Sequence, residues 1–158
     1  LSQLDENNEI ATESVDLMAV ANEVTEVLAA SAAKKNVALT VEGESCIIRG
    51  VQRYIYEIVY NICDNAIRYN VDGGKVKIKL SKESGCAEIS VTDTGIGIAP
   101  EHQGRIFERF YRVDKSHSKE TGGTGLGLSI VKHAVQYHNA KISLESEVGK
   151  GTTVTVKF

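Results

Sequence analysis

The period of the hydrophobic pattern changes several times along the chain, and these changes constrain the fold more than any other feature. Apolar residues recur every three or four positions over residues 14–35, 51–69 and 126–139, which predicts three amphipathic helices. Alternating patterns predict strands over residues 37–41, 46–49, 75–82, 87–93, 141–147 and 152–158. Short polar turns join consecutive strands, so we expect three hairpins. This order predicts an α+β fold, a two-layer α/β sandwich whose mixed, mostly antiparallel sheet of about five strands is covered on one face by three helices.

The composition narrows the class of protein. With 158 residues, of which 42% are hydrophobic, the chain has the size of one globular domain. Its net charge of -3, without a basic patch, argues against a nucleic-acid partner. It has no secretory signal and no apolar run of the roughly 18 residues that span a membrane, so we expect a soluble, monomeric piece. The three cysteines form no CxxC pair, which favours reduced, packed thiols over a zinc or disulfide site.

The second predicted helix has a polar face beside its apolar one. It carries, at spacings of four, four and three residues, the side chains Glu57, Asn61, Asn65 and Arg68. These spacings place them on one side of the helix. Two carboxamides one turn apart offer neutral oxygens to Mg²⁺, which completes its shell with phosphates and water, and the arginine adds positive charge for phosphate. The alternative is an exposed polar face without a ligand, although asparagine is a poor helix former.

The predicted strand that ends at Asp93 runs directly into the sequence TGIG. A carboxylate at a strand end can accept a hydrogen bond from the amino group of a purine, and Gly95 and Gly97 leave room for a flat ring. This combination predicts a pocket that reads adenine rather than guanine. A simple Asp-Gly turn is the alternative, because strand ends often use one.

Glycines also open the third predicted helix, in the run GGTGLGL over residues 122–128. The free N–H groups and the dipole of a helix N-terminus favour an anion, here phosphate. The run fits neither the phosphate-loop pattern GxxxxGK[ST] nor the dinucleotide pattern GxGxxG, which excludes two common nucleotide folds. A second glycine turn, GKGT over residues 149–152, is typical of a simple hairpin when taken alone.

Taken together, five motifs resemble those of a known family. In chain order they are YNICDNAIRYN, VTDTGIGI, RIFERFYR, GGTGLGLSIV and GKGT. They resemble the N, G1, F, G2 and G3 boxes of sensor histidine kinases, of the phosphate-sensor-like class, which share a group of ATPases with gyrase and the Hsp90 chaperone. The resemblance implies a Bergerat-type sandwich that binds ATP and Mg²⁺ and transfers the γ-phosphate to a histidine. It also implies a mobile lid over about residues 98–126, within an irregular stretch that is long enough for one.

The resemblance implies roles for residues on the phosphate side of the site. Asn61 resembles the magnesium ligand, Asn65 a second phosphate or metal contact, and Arg68 the basic phosphate contact. The backbone that faces the phosphates is implied to be Gly123, Thr124, Gly125, Leu126 and Gly127. Two residues are catalytic candidates: Glu57, where the related ATPases keep a general base, and Arg112, a lid cation able to reach the γ-phosphate.

On the adenine side, the resemblance implies a second group of residues. Asp93 resembles the carboxylate that reads adenine, and Tyr69 the aromatic residue that packs near the ring. The residues implied to border the ring are Gly95, Gly97 and Ile98. Thr152 is implied to support the hydrogen-bond network on this side.

The histidine that accepts the phosphate in this family lies on a separate dimerising hairpin, before an acidic residue and a proline. None of the four histidines of this chain has that setting. We therefore expect residues 1–13 to be the remnant of the acceptor domain and linker, and residues 14–158 to be the catalytic domain. The expected partners are the acceptor domain and a downstream response regulator. The parent is expected to be a homodimeric kinase, anchored in a bacterial membrane, with this domain in the cytoplasm.

Two alternatives would use the same pocket. A serine kinase of the anti-sigma type shares the glycine and asparagine motifs but lacks the RIFERFYR segment. A regulatory module that binds ATP without catalysis would also keep them, because they secure binding more than turnover.

Overall fold

The computed structural model of the protein describes residues 12–109, 111 and 127–158. In chain order, the elements of this part are β1 (Glu13–Asp16), α1 (Leu17–Lys34), β2 (Ala38–Gly43), β3 (Ile47–Gly50), α2 (Gln52–Arg68), β4 (Lys75–Glu83), β5 (Cys86–Asp93), α3 (Pro100–Gln103), α4 (Gly127–Tyr137), β6 (Lys141–Glu147) and β7 (Gly151–Lys157). The strands form a five-stranded sheet in the order β2-β4-β5-β7-β6 and a two-stranded sheet of β1 and β3. In the larger sheet β2 and β4 are parallel, and the other neighbours are antiparallel.

The core lies on one face of the larger sheet. Along β4 the buried Val76, Ile78 and Leu80 alternate with exposed lysines, and β5 and β7 alternate in the same way. The buried side chains of α1, α2 and α4 belong to the same hydrophobic cluster as these strand residues. The expected mixed, mostly antiparallel α+β sandwich is therefore confirmed.

The hairpin predicted over residues 37–49 is wrong. β2 pairs in parallel with β4, and β3 pairs with β1 instead. Gly43 lies so close to β4 that a Cβ on it would be 2.0 Å from the carbonyl oxygen of Leu80. Glu44 N donates to that oxygen at 3.2 Å. An isolated two-stranded hairpin is marginal, whereas addition to the edge of a larger sheet packs the partly buried Leu39 and Val41 against the core.

Three smaller predictions need correction. The first helix begins at Leu17 rather than at residue 14, because Glu13–Asp16 form strand β1. The sequence also predicts a short helix around residues 101–110, within the lid, and in the described residues it covers only Pro100–Gln103. Of the three cysteines, two are buried as expected but Cys86 is exposed. None of the helices described is long and apolar enough to cross a membrane.

A histidine joins the beginning of α2 to the end of α4. Val51 N, at the N-terminus of α2, donates to His138 Nε2 at 3.1 Å, and His138 Nδ1 lies 2.8 Å from Ala134 O. Because Nε2 must accept, Nδ1 carries the proton and donates to the carbonyl. Gly50 leaves the ring its room, since a Cβ there would lie 2.9 Å from it. The two helices that frame the site are thus fixed to one another at this end.

An aspartate side chain caps the N-terminus of α1. Asp16 is the N-cap of this helix, and its Oδ1 accepts from Met18 N at 2.9 Å and from Ser45 Oγ at 3.2 Å. We expect Asp16→Ala to lower the free energy of unfolding by about 1 kcal/mol in urea denaturation, because the helix loses its cap. Glu13→Ala, at an exposed position of β1, is the matched control. Equal losses in the two variants would contradict the capping role.

Candidate functional site

The carboxylate of Asp93, at the end of β5, is held by two backbone groups. Its Oδ1 accepts from Gly95 N at 2.8 Å and from Thr152 N at 3.2 Å. The other oxygen, Oδ2, has no hydrogen-bond partner among the residues that the structure describes. The side chain is only partly exposed. Asp93 therefore presents one oriented acceptor atom that the protein itself does not use.

Burial affects the charge of this group. Desolvation raises the pKa of Asp93, and the two backbone N–H groups oppose that effect because they stabilise the carboxylate. The burial effect is the larger of the two. A donor that reached Oδ2 would therefore relieve a cost that the folded protein carries.

Glycines surround Asp93 because the neighbouring backbone leaves no room for side chains. A Cβ on Gly95 would lie 2.4 Å from Tyr69 O, and one on Gly151 would lie 2.0 Å from Asp93 O. Gly97 has a φ of +77°, and its Cβ would lie 2.2 Å from Glu147 O. The glycines that the sequence predicts to border a ring are thus required by close backbone packing.

The segment 95–98 is bonded from several sides. Ile96 N donates to Tyr69 O at 3.0 Å, and Gly149 N donates to Ile96 O at 2.9 Å. Ile98 N donates to Ser146 Oγ at 2.8 Å, and Gln103 Nε2 donates to Ile98 O at 2.8 Å. The end of α2, the β6–β7 turn and α3 therefore all contact the wall of the site. Tyr69 reaches that wall through its carbonyl group.

The polar face of α2 lies under the start of α4. Asn61 Nδ2 donates to Glu57 O at 2.8 Å, and none of the described residues donates to Asn61 Oδ1. A Cβ on Gly127, the first residue of α4, would lie 3.0 Å from that oxygen. The side chain of Asn65 makes no hydrogen bond with the described residues. Two of the predicted regions, the asparagine helix and the glycine-rich helix entry, thus meet here.

Arg68 is less available than the sequence suggests. Its Nε donates to Asp64 Oδ2 at 2.8 Å, an ion pair one turn apart on α2. A lysine that was not predicted lies beside it, because Lys35 Nζ donates to Arg68 O. Burial lowers the pKa of Lys35. Part of the positive charge expected for phosphate is therefore engaged within the protein.

A groove of about 410 Å³ continues from this region between α2 and α4. It is lined by Glu57 of α2, by Ser129 and His133 of α4, and by Arg109. Glu57 lies one helical turn from Asn61, so the groove adjoins the asparagine face. The side chains of Glu57, His133 and Ser129 thus share one open space beside the predicted phosphate region.

Some predicted residues cannot be placed, and some placed residues were not predicted. Arg112 and the run Gly123, Thr124, Gly125 and Leu126 lie outside the described residues. Asn70 was missed, although it is a buried polar residue that donates to Lys75 O at 3.0 Å and accepts from Thr94 Oγ1 at 3.1 Å. It ties the end of α2 to both strands beside the site.

Ser146 was also missed, although the sequence contains a signal for it. Along β6 the inward positions are Ile142, Leu144 and Ser146, so a hydroxyl occupies a position where the pattern expects an apolar residue. Its oxygen lies 2.7 Å from Thr152 Oγ1. The Thr152 predicted at this site is therefore part of a larger network.

The donor set fits a metal only together with a ligand. Within the described ranges, no group of three or more His, Cys, Asp or Glu side chains could hold an ion. The free carboxamide oxygens of Asn61 and Asn65 are hard, neutral donors that suit Mg²⁺ when phosphate oxygens and water supply the remaining positions.

Comparison with known proteins identifies this arrangement. A family model described as histidine kinase-, DNA gyrase B-, and HSP90-like ATPase matches residues 50–158. The sensor-like histidine kinase SenX3 of Mycolicibacterium smegmatis is 40% identical over 147 residues, which are 92% of this chain and 38% of that protein. The phosphate regulon sensor protein PhoR of Pseudomonas aeruginosa is 43% identical over 111 residues, 70% of this chain and 25% of that protein.

A solved structure agrees with these matches. The mycobacterial sensor histidine kinase MprB has a TM-score of 0.82 and 27% identity, over 94% of this chain and 97% of that one. The chain spans well under half the length of the two curated relatives. It belongs to the histidine kinase-, DNA gyrase B- and HSP90-like ATPase family, and it corresponds to the catalytic domain of sensor histidine kinases.

Proposed function

We propose that the chain binds Mg-ATP and transfers the γ-phosphate to a histidine on a separate dimerisation and phosphoacceptor domain. The observation that carries the proposal is the partly buried Asp93, whose Oδ1 is fixed and whose Oδ2 is open. A carboxylate can only accept, so it selects a ligand with a donor at this place. The 6-amino group of adenine is such a donor. Guanine has a carbonyl oxygen at the same position, and the carboxylate would repel it.

The asparagine face supplies the phosphate side of the proposed site. Asn61 Oδ1 would hold Mg²⁺, with Asn65 as a second metal or phosphate contact and Gly127 at the N-terminus of the 11-residue helix α4. The bound ion would neutralise the charge that develops on the phosphates. Arg68 would be the basic phosphate contact, although it is paired with Asp64. Lys35, the residue after α1, lies beside it and donates to Arg68 O.

The groove beside Glu57 is the proposed entry for the acceptor histidine. The lone pair of one imidazole nitrogen forms the new N–P bond as the bond from the γ-phosphorus to the bridging oxygen breaks and ADP leaves. The proton on the other ring nitrogen can then pass to the carboxylate of Glu57, which is half-buried in the groove. Arg109 provides a cation at the edge of this groove, and Arg112 keeps its predicted role near the γ-phosphate.

The remaining expectations concern the parent protein. We propose that residues 14–158 are the catalytic domain of a homodimeric sensor kinase whose phosphorylated acceptor domain serves a response regulator. The relatives that support this proposal are sensor kinases of more than twice the matched length. A cytoplasmic position of this domain and a membrane anchor in the parent belong to the same proposal.

The adenine contact can be tested by direct binding. We expect Asp93→Asn to weaken the affinity for ADP with Mg²⁺ by roughly 10- to 100-fold in calorimetry, since a hydrogen bond to a charged acceptor is lost. Asp72→Asn removes the same charge at an exposed residue that bonds Asn36, and it should bind ADP as the wild type does. Unchanged affinity in Asp93→Asn would overturn the adenine assignment.

Asp93→Asn should increase the stability of the folded protein, although it weakens ADP binding. Because burial raises the pKa of Asp93 in the folded protein, its ionisation costs stability at neutral pH and costs nothing below its unfolded pKa. Asp93→Asn should therefore unfold at a higher urea concentration than the wild type at neutral pH. The difference should shrink as the pH falls through the raised pKa, above the ordinary value of 3.8. A variant less stable than the wild type at neutral pH would contradict the burial argument.

Phosphoryl transfer can be followed with labelled ATP and the parent's acceptor domain as a separate chain. We expect acid-labile phosphohistidine on the acceptor domain and no label on this chain alone. Glu57→Gln should slow transfer by about 100-fold with ADP affinity unchanged, because the base is lost but the nucleotide contacts remain. The control is Glu26→Gln on the exposed side of α1. Label on a histidine of this chain, or acid-stable label on a partner serine, would overturn the proposed activity.

A further inference from the structure

Ser146 connects two walls of the proposed adenine pocket through one hydroxyl group. Its Oγ accepts from Ile98 N at 2.8 Å and lies 2.7 Å from Thr152 Oγ1 and 3.1 Å from Gly151 O. Since the carbonyl of Gly151 can only accept, the serine proton goes there and Thr152 donates to the serine. One donor and two acceptor sites are then all used. A hydroxyl whose donor and acceptor sites are all hydrogen-bonded is held in a single orientation.

Gln103 completes the attachment of the same segment. Its Nε2 donates to Ile98 O at 2.8 Å and lies 3.3 Å from Ser146 O. Both backbone polar groups of Ile98 are therefore bonded by side chains, one from β6 and one from α3. By contrast, Ile96 is held by backbone groups, Tyr69 O and Gly149 N. The position of Ile98, at the end of the segment 95–98, thus depends on the side chains of Ser146 and Gln103, which can be substituted without altering the backbone.

The network also reaches the carboxylate. Thr152 bonds Ser146 through its hydroxyl and Asp93 Oδ1 through its backbone N–H at 3.2 Å. A shift of Thr152 would therefore rotate or release Asp93. Because Oδ2 is the atom left for a ligand, its direction depends on how Oδ1 is held.

We propose that Ser146 and Gln103 are positioning residues that fix the pocket wall and Asp93 before the nucleotide binds, and thereby set both adenine affinity and purine selectivity. The inference rests on the proposed function, since it concerns the same pocket. A segment that is already bonded loses little conformational freedom when a ligand arrives, whereas a loosened one must be ordered at that moment. Loosening also broadens the position of Oδ2, so the preference for a 6-amino group falls.

The experiment measures dissociation constants with Mg²⁺ for ADP and for inosine diphosphate, which lacks the 6-amino group. Ser146→Ala should weaken ADP binding by about fivefold to tenfold, as expected for lost hydrogen bonds, and should weaken inosine diphosphate binding less. The preference for ADP over inosine diphosphate should therefore fall. Ser146→Thr keeps the hydroxyl and should restore the preference. Ser143→Ala, on the exposed face of the same strand, is the matched control and should leave it unchanged.

A second variant separates positioning from stability. Gln103→Met removes the donor at similar size, and it should also lower ADP affinity and the ADP preference. Combined with Ser146→Ala, its effect should be smaller than the sum of the two, because both residues hold Ile98. Folded variants that keep the wild-type preference would overturn the inference while the proposed function stands. A wild-type protein that bound neither nucleotide would overturn both.

Discussion

The hydrogen bonds to Asp93 Oδ1 are the interaction on which the rest of the site depends. Gly95 N belongs to the loop that follows β5, and Thr152 N belongs to β7, the neighbouring strand in the sheet. Asp93 and Thr152 are also paired in the strand register. The hydrogen bond to the carboxylate oxygen therefore forms only when the two strands are correctly aligned. A slip by one residue would turn Thr152 to the other face of the sheet and break the network. Sheet register and site geometry are therefore the same constraint.

The helices provide a second constraint that acts over a longer distance. α2 and α4 are joined at one end by His138, which accepts a hydrogen bond from Val51 N. Near the other end, Gly127 lies against the carboxamide of Asn61, and a larger residue would meet it. Both ends of α4 are therefore positioned by α2. The asparagine face and the helix N-terminus can act on one ligand because these contacts keep them together.

The sequence could predict the elements whose signal is local. The spacing of apolar residues placed α2 within a residue at each end, and alternation placed the β4–β5 and β6–β7 hairpins. It could not predict the partner of β2, because the turn after Gly43 resembles a hairpin turn. The true neighbour is β4, in which Lys75 pairs with Ala38 and Leu80 with Gly43. The residue types of the site could likewise be predicted, because asparagine is a poor helix former and because an aspartate followed by glycines stands at the end of a strand.

The sequence marks Ser146 as a polar residue at an inward position of β6, but it could not predict the partners of Ser146 and Gln103. Their partners are backbone groups of Ile98, which lies 48 residues away from Ser146 in the chain. Such bonds satisfy the polar groups of the pocket wall from within the protein, and unsatisfied buried groups are costly. What remains unsatisfied is then informative. Among the described residues around the pocket, Asp93 Oδ2 and the oxygens of Asn61 and Asn65 have no protein donor. A fold that bonds the backbone of the pocket wall and leaves these acceptors open supports the proposed ligand, which brings its own donors and its own cation.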